Sequence, residues 1–273
     1  MNYALALPTG GECGDPRFLV GLAELAEQSG WDAVVLEDYI GYQGEVTPTC
    51  DPWVALGAIA ARTRRVRLAT SVTPLARRRP WRVAQEAATV DHLSGGRFTL
   101  GVGLGDLNDP GFGRFGEETD ARRRAEKLDE GVEIVVGLWS GHSFSFRGKH
   151  FTIDEATLLP TPVQEPRIPI WIGGGYPNRG PTQRALRWDG SMLYKEGEDY
   201  MTPADVRGLK ELAGSRPFDI AVGGNARRDD WDEEREWIRA VADAGATWWM
   251  EWVRPADRET MRAVVERGPL RID

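Results

Sequence analysis

The chain has 273 residues, and its 42 acidic and 34 basic side chains give a formal net charge of −8. An acidic chain repels nucleic-acid phosphates and anionic membranes, so we expect neither as a partner. The length suits one α/β barrel, which typically needs roughly 250 residues, and we expect a single domain over residues 1–273.

Apolar runs typical of buried strands alternate with helical stretches along the chain. The predicted strands cover Tyr3–Leu7, Ala33–Glu37, Val66–Val72, Arg97–Val102, Pro169–Gly173, Gly190–Tyr194, Phe218–Val222 and Ala246–Met250. A predicted helix follows each strand, at Pro16–Ser29, Pro52–Arg62, Pro80–Leu93, Thr119–Trp139, Pro181–Trp188, Pro203–Ala213, Trp231–Ala244 and Ala256–Arg267. Eight such units predict an α/β fold, the (β/α)8 TIM barrel.

One segment interrupts this alternation. Ser143–Leu159 contains FSFRGKHFTI, a predicted hairpin with its turn at Arg147–Lys149. We interpret it as an insertion before the fifth barrel strand. A doubly wound open sheet is the alternative fold, but its dinucleotide-binding form needs a glycine fingerprint at the first turn, which here reads Pro-Thr-Gly-Gly.

The cysteines and histidines give no sign of a disulfide framework or a metal site. Cys13 and Cys50 are two in number and have no metal-ligand spacing, and His92, His142 and His150 lie far apart in the chain. The first residues lack the basic segment and long apolar run of a signal peptide. No stretch approaches a membrane span, so we expect a cytoplasmic protein.

A glycine loop follows the fourth predicted strand. In GVGLGD, Gly103 and Gly105 allow a flat or phosphorylated ligand to approach the backbone, and Asp106 ends the loop. Barrels bind ligands at the carboxyl ends of their strands. Asp106 is therefore a candidate for proton transfer, although it also suits the role of a loop cap. Asp38, directly after the second strand, has the same two interpretations.

A second glycine loop, Gly173, Gly174 and Gly175, ends the fifth strand and precedes Asn178 and a predicted helix. Consecutive backbone N–H groups at the amino end of a helix form an anion site. We therefore expect a phosphate to bind there, with Lys195 adding a positive charge.

The competing phosphate site is Gly223-Gly224-Asn225, after the seventh strand, where barrels commonly bind phosphate. A plain turn remains the alternative for either glycine loop. Two arginine triplets, Arg77–Arg79 and Arg122–Arg124, lie near helix ends, and we expect them to be solvated surface.

An ordered set of motifs resembles the luciferase-like flavin- and coenzyme F420-dependent oxidoreductases. The motifs are GWDAVVLEDY (30–39), RVRLATSVTPL (65–75), EAATVDHLSGGRFTLGVGLGD (86–106), the hairpin FRGKHFTI (146–153), PTPVQEPRIPIWIGGG (160–175) and RALRWDG (184–190). The resemblance implies a TIM barrel that binds FMN or F420 non-covalently at its mouth. It implies monooxygenation or hydride transfer on a small organic substrate. It also implies a homo-oligomer, a dimer by this resemblance, and a separate flavin reductase as a partner.

The resemblance also assigns residues. Ser71 and Val72 match a bulge, often with a non-proline cis peptide, that supports the back of the flavin ring. Asp38 matches the family's acid, while Tyr39 replaces a histidine. Asp106 matches the glutamate of some deazaflavin enzymes. The Tyr39 replacement leaves a flavin-binding protein without turnover as an alternative, and a barrel enzyme without a flavin as another.

Overall fold

Parallel strands close into an eight-stranded barrel. The computed structural model describes residues 1–42, 46–195 and 200–272. The strands are β1 (Asn2–Leu7), β2 (Ala33–Leu36), β3 (Arg67–Thr70), β4 (Thr73–Pro74), β5 (Phe98–Gly103), β6 (Phe144–Arg147), β7 (Thr152–Ala156), β8 (Ile170–Gly175), β9 (Gly190–Tyr194), β10 (Asp219–Asn225) and β11 (Trp248–Trp252). The barrel order is β3-β2-β1-β11-β10-β9-β8-β5, and pairing of β3 with β5 closes it. The predicted TIM barrel is confirmed.

Helices surround the barrel. They are α1 (Pro16–Gln28), α2 (Pro52–Arg62), α3 (Pro80–Ser94), α4 (Ala121–Trp139), α5 (Arg179–Ala185), α6 (Pro203–Ala213), α7 (Trp231–Asp243) and α8 (Arg258–Glu266). Proline begins α1, α2, α3 and α6, where its fixed φ suits the first turn. Side-chain caps from Asp15, Asp51, Asp120, Thr202, Asp230 and Asp257 satisfy backbone N–H groups at six helix starts. Among the described residues, no helix combines the length and hydrophobicity needed to span a bilayer.

Alternation along the strands separates two apolar layers. The barrel interior is filled by Ala4, Ala6, Ala33, Val35, Ala69, Trp171, Met192, Ala221, Trp248 and Met250. The larger layer lies between the strands and the helices, and includes Leu5, Val34, Leu68 and Trp249. Small residues from β1 and β2 share this cluster with tryptophans from β8 and β11, so the barrel interior is packed below its mouth.

The structure differs from the predicted elements at three places. The third barrel strand consists of β3 and β4 and is interrupted at Ser71 and Val72, where the sequence predicted one strand with a bulge. The α5 helix begins two residues before the predicted start at Pro181. The β6–β7 hairpin turns at 148–151, because Glu130 accepts the backbone N–H groups of Lys149, His150 and Phe151.

Candidate functional site

A cavity of about 540 Å³ opens at the carboxyl ends of the strands. Most of the predicted site residues line it, namely Asp38, Tyr39, Ser71, Val72, Gly105, Asp106, Gly173, Gly174, Gly175 and Asn178. Gly103 and Lys195 are not among its lining residues. The structure therefore brings together residues that follow or end β2, β3, β5 and β8. The roles of these residues in binding or catalysis stay predictions.

Val72 forms the back wall of the cavity. The peptide bond between Ser71 and Val72 is cis, which confirms the expectation drawn from the resemblance. A Cβ on Gly173 would lie 2.5 Å from Cγ1 of Val72, and a Cβ on Gly103 would lie 2.8 Å from its Cγ2. Both glycines are thus required for the Val72 side chain to fit between β5 and β8, and Gly103 supports the site from behind.

Arg77 connects the loops that follow β2 and β5. Its side chain is 2% exposed and forms ion pairs with Asp38, at 3.3 Å, and with Asp109. Burial alone would raise the pKa of Asp109, but the Gly111 N–H and the Arg77 guanidinium outweigh it and hold that pKa below its usual range. Asp109 also accepts the backbone N–H groups of Ile40 and Gly41, both at 3.1 Å.

Asp38 has its polar contacts on the side of the barrel wall. Its Oδ1 accepts Arg78 at 2.8 Å and its Oδ2 accepts the Trp53 indole N–H at 3.2 Å. With Arg77 as a third partner, the carboxylate holds two arginines in position. Asp38 lines the cavity, but these contacts favour an orienting role over proton transfer.

Tyr39 and Asp106 meet at the cavity wall. The Tyr39 hydroxyl donates to Oδ2 of Asp106 at 3.3 Å, and the Asn108 N–H donates to Oδ1 at 2.9 Å. Burial, together with the negative charges of Glu37 and Asp106, raises the pKa of Tyr39. Tyr39 is therefore a neutral hydrogen-bond donor. Asp106 caps its own loop by accepting the Asn108 N–H, and it also lines the cavity.

Glu37, two positions before Tyr39, is a titratable residue that the sequence interpretation did not single out, although it does not line the cavity. Burial and the Asp106 charge raise the pKa of Glu37 to about 7, against a smaller opposing effect of its hydrogen bond with Tyr42. Its Oε2 is buried and has no hydrogen-bond partner among the described residues. Side chains alternate along a strand, and Ala33 and Val35 face the barrel interior. The same two-residue period could have identified Glu37 as an inward-facing residue.

Arg124 is the second missed residue. The expectation that the arginine triplets are solvated holds for Arg79, Arg122 and Arg123, but it is wrong for Arg77 and Arg124. Arg124 is 5% exposed and lines the cavity. It donates to the carbonyl oxygens of Leu104 and Gly105 at 3.0 and 3.2 Å, while its Nε is buried without a partner in the described part of the chain. Arg77 is also buried. The expectation failed because the loops after β2 and β5 fold over these side chains.

The Gly173–Gly175 loop lies at the cavity beside a short helix. The α5 helix has seven residues, and its N-cap Asn178 makes no side-chain capping bond. A Cβ on Gly174 would lie 2.6 Å from Cβ of Pro181. Any substitution of Gly174 therefore disturbs packing as well as ligand contacts, so Arg124 offers a cleaner test of phosphate binding.

Lys195 pairs with Asp205 at 3.2 Å, and this contact offsets the positive charge that the sequence interpretation assigned to the phosphate site.

The competing loop borders a separate cavity of about 570 Å³. Asn225 lines it together with Trp252 and several arginines: Arg227, Arg228, Arg254 and Arg267. Glu251 pairs with both Arg227 and Arg267. This cavity also has cationic walls, so the later phosphate site remains an alternative.

The described residues contain no group of three or more His, Cys, Asp or Glu side chains that could hold a metal ion.

Comparison with known sequences places the chain among flavin and deazaflavin proteins. The family model for luciferase-like monooxygenases matches residues 3–242. An F420-dependent glucose-6-phosphate dehydrogenase of Microbacterium testaceum is 37% identical over 167 residues, which cover 59% of this chain and 48% of that protein. The corresponding protein of Mycolicibacterium fortuitum is 35% identical over 217 residues, 75% of this chain and 62% of that protein. The chain thus spans about half the length of the first of these curated relatives.

Solved structures share the fold. An F420-dependent secondary alcohol dehydrogenase in complex with an F420–acetone adduct superimposes with a TM-score of 0.77 at 19% identity, over 98% of both chains. A monooxygenase from Streptomyces bottropensis superimposes with a TM-score of 0.75 at 23% identity, over 97% of this chain and 96% of that one.

Proposed function

Since the chain belongs to the luciferase-like monooxygenase family, we propose that it is an F420-dependent oxidoreductase acting by hydride transfer on a small organic substrate. The relatives that are 35–39% identical and are named F420-dependent support the choice of deazaflavin over FMN. A homodimer is part of the proposal, whereas a flavin reductase partner belongs to the FMN alternative.

The cavity formed by Val72, Arg124 and Asp106 carries this proposal. Val72, seated on two glycines, presents a flat apolar wall suited to one face of a tricyclic ring. Arg124 presents a buried Nε that has no acceptor among the described residues, and a phosphate oxygen is a suitable acceptor for it. A cavity of about 540 Å³ is within the usual range of cofactor sites. The residues present therefore fit a flavin or deazaflavin.

When bound, F420 supplies the two-electron hydride chemistry, and the protein supplies binding, orientation and proton transfer. In the oxidation of an alcohol, one hydride and one proton must leave the substrate. Asp106 is placed to accept the hydroxyl proton, because its carboxylate lies at the cavity wall and is an acceptor toward Tyr39. The Tyr39 hydroxyl stabilises the ionised carboxylate and fixes its orientation.

A fluorescence and absorbance titration of the purified protein with F420 and with FMN tests this proposal. We expect saturable binding of F420, followed by reduction of bound F420 when a hydroxylated substrate from a panel is added. Binding of FMN alone, with oxygen-dependent turnover, would instead support a monooxygenase. Binding without turnover across the panel would indicate a flavin-binding protein, and failure to bind either cofactor would overturn the proposal.

A further inference from the structure

Phe112 is the largest buried side chain in the loop between β5 and α4, residues 104–120, and it is 1% exposed. Its backbone N–H donates to the carbonyl oxygen of Asp109 at 3.1 Å. Its own carbonyl oxygen accepts the N–H groups of Phe115 and Glu117 at 3.3 and 3.0 Å. The loop therefore folds around this residue, through both its ring and its backbone.

Two guanidinium groups lie over the Phe112 ring. The Cζ atom of Arg77 is 5.1 Å from the ring centroid, and the Cζ atom of Arg124 is 5.2 Å from it. Both distances are within the range of cation–π interactions, which extends to about 6 Å. Both arginines line the 540 Å³ cavity, whereas Phe112 does not. Any effect of the ring on a ligand must therefore act through these arginines.

The two arginines differ in what else holds them. Arg77 forms ion pairs with Asp38 and Asp109, so carboxylates fix its position and balance its charge. The polar partners of Arg124 in the described part of the chain are two carbonyl oxygens of the loop, and no carboxylate forms an ion pair with it. The Arg124 guanidinium is thus held by the ring and these carbonyl groups, and its charge remains for a ligand.

Gly105 links the ring to one of those carbonyl groups. Its carbonyl oxygen accepts Arg124 at 3.2 Å. Its φ is +77°, and a Cβ at this position would lie 2.9 Å from Cζ of the Phe112 ring. The ring therefore packs against the backbone that accepts the guanidinium. A smaller side chain at position 112 would remove the cation–π partner of Arg124 and loosen this backbone support at the same time.

We propose that Phe112 is a positioning residue for anion binding, because its ring fixes the Arg124 guanidinium at the cavity wall. An arginine that is ordered before its ligand arrives loses less conformational freedom on binding, and this strengthens affinity. The identity of the ligand, the phosphate of the cofactor, rests on the proposed function. The contact between the ring and the guanidinium exists without any cofactor.

Fluorescence titration of Phe112→Leu with two ligands tests this role. One is F420, and the other is the deazaflavin that ends at its ribityl group and has no phosphate. We expect the affinity for F420 to fall roughly 2- to 10-fold, the effect of ordering one long side chain, while the affinity for the phosphate-free ligand stays at the parent value. Equal losses for the two ligands would overturn the proposal.

The Arg124→Gln background provides a second test on the same ligand. If Phe112 acts through Arg124, Phe112→Leu should weaken F420 binding no further in that background. An undiminished effect there would overturn the proposal. If Phe112→Leu does not fold, Phe112→Met makes the same comparisons, because methionine retains an apolar side chain of similar reach and has no ring.

Phe98→Leu is the matched control. Phe98 is 0% exposed, begins β5 and packs edge-on against Trp53 at 5.6 Å, away from the cavity lining. This variant should lower the urea midpoint of unfolding, as Phe112→Leu does, and should leave the F420 affinity unchanged. A loss of F420 affinity in Phe98→Leu equal to that in Phe112→Leu would reduce the role of Phe112 to general stability.

Urea unfolding of the cofactor-free protein separates this inference from the proposed function. If the parent binds neither F420 nor FMN, the proposed function fails, and the contact can still be measured. The stability losses of Phe112→Leu and Arg124→Gln should sum to more than the loss in the double variant, because each change removes the same contact. Additive losses would show that Phe112 does not hold Arg124, and would overturn the proposal.

Discussion

The Tyr39 hydroxyl reaches Asp106 across 3.3 Å although the two residues are 67 positions apart in the chain. This contact joins the loop after β2 to the loop after β5, at the wall of the cavity. It places a neutral donor against a carboxylate, with Glu37 acting on the same phenol from the barrel interior. Tyr39 and Asp106 are therefore directly connected in the proposed site.

Asp106→Asn should lower turnover by roughly 10²- to 10⁴-fold, the usual contribution of a general acid or base. The amide oxygen retains an acceptor for the Asn108 N–H, so the loop and the cofactor affinity should change little. Steady-state kinetics and a cofactor titration measure the two quantities. Turnover within about threefold of the parent, under roughly 0.7 kcal/mol on the barrier, would reduce Asp106 to a loop cap.

Arg124→Gln should weaken cofactor binding by roughly 10- to 100-fold, because a charge-assisted hydrogen bond contributes about 1.5–3 kcal/mol. Arg122→Gln is the control from the same triplet, since that side chain is 87% exposed, and it should bind cofactor as the parent does. Fluorescence titration measures both. Parent-like binding by Arg124→Gln together with loss of binding by Arg254→Gln would assign the phosphate to the later loop.

Gly173→Ala should displace Val72, since the new Cβ would lie 2.5 Å from its Cγ1. We expect a lower melting temperature and weaker cofactor binding, and both should recover in part when Val72→Ala is added. Gly21→Ala in α1 is the control, because no atom beyond its chain neighbours and its own helix backbone lies within 4 Å of the new Cβ. If Gly173→Ala melts and binds like Gly21→Ala, Val72 does not form the cofactor's wall.

Arg77→Met should destabilise the fold by about 3–5 kcal/mol, the usual cost of leaving a buried charge without its partner. Asp109 loses its ion-pair partner in this variant, while Asp38 keeps Arg78. Arg79→Met is the control, because Arg79 is exposed and its guanidinium lies over the Trp81 ring. Urea unfolding should place this control within about 1 kcal/mol of the parent.

Glu37→Gln should change how stability depends on pH. The pKa of Glu37 rises from 4.5 to about 7 on folding, so the folded protein binds this proton more tightly than the unfolded chain. Its contribution to stability is complete below the unfolded value and falls as the pH rises toward about 7. At about 1.4 kcal/mol per pKa unit, the parent loses about 3 kcal/mol over this window.

The glutamine variant has no such proton to lose. Urea unfolding at several pH values should therefore show Glu37→Gln gaining stability relative to the parent as the pH rises from 4.5 to about 7. Parallel stability curves for the two proteins would contradict the assignment of a raised pKa to this carboxyl.

The amino-acid sequence by itself determined the barrel, because the signals for its elements are local. Apolar runs, prolines such as Pro16 at helix starts and strand-end glycines such as Gly173 all act within a few residues of where they stand. The same locality places the glycine loop that ends at Asp106 at the carboxyl end of its strand, whereas the Ser71–Val72 bulge was expected only from the family resemblance.

Only the tertiary structure decided which charges are buried and which side chains meet. Arg77 and Arg79 are two positions apart in one triplet, yet one is buried between carboxylates and the other is exposed. Burial of a charge depends on partners such as Asp109, which come from distant loops whose paths no local period encodes. For the same reason the raised pKa of Glu37 is a tertiary property, because its main cause is burial of the carboxyl in the folded chain.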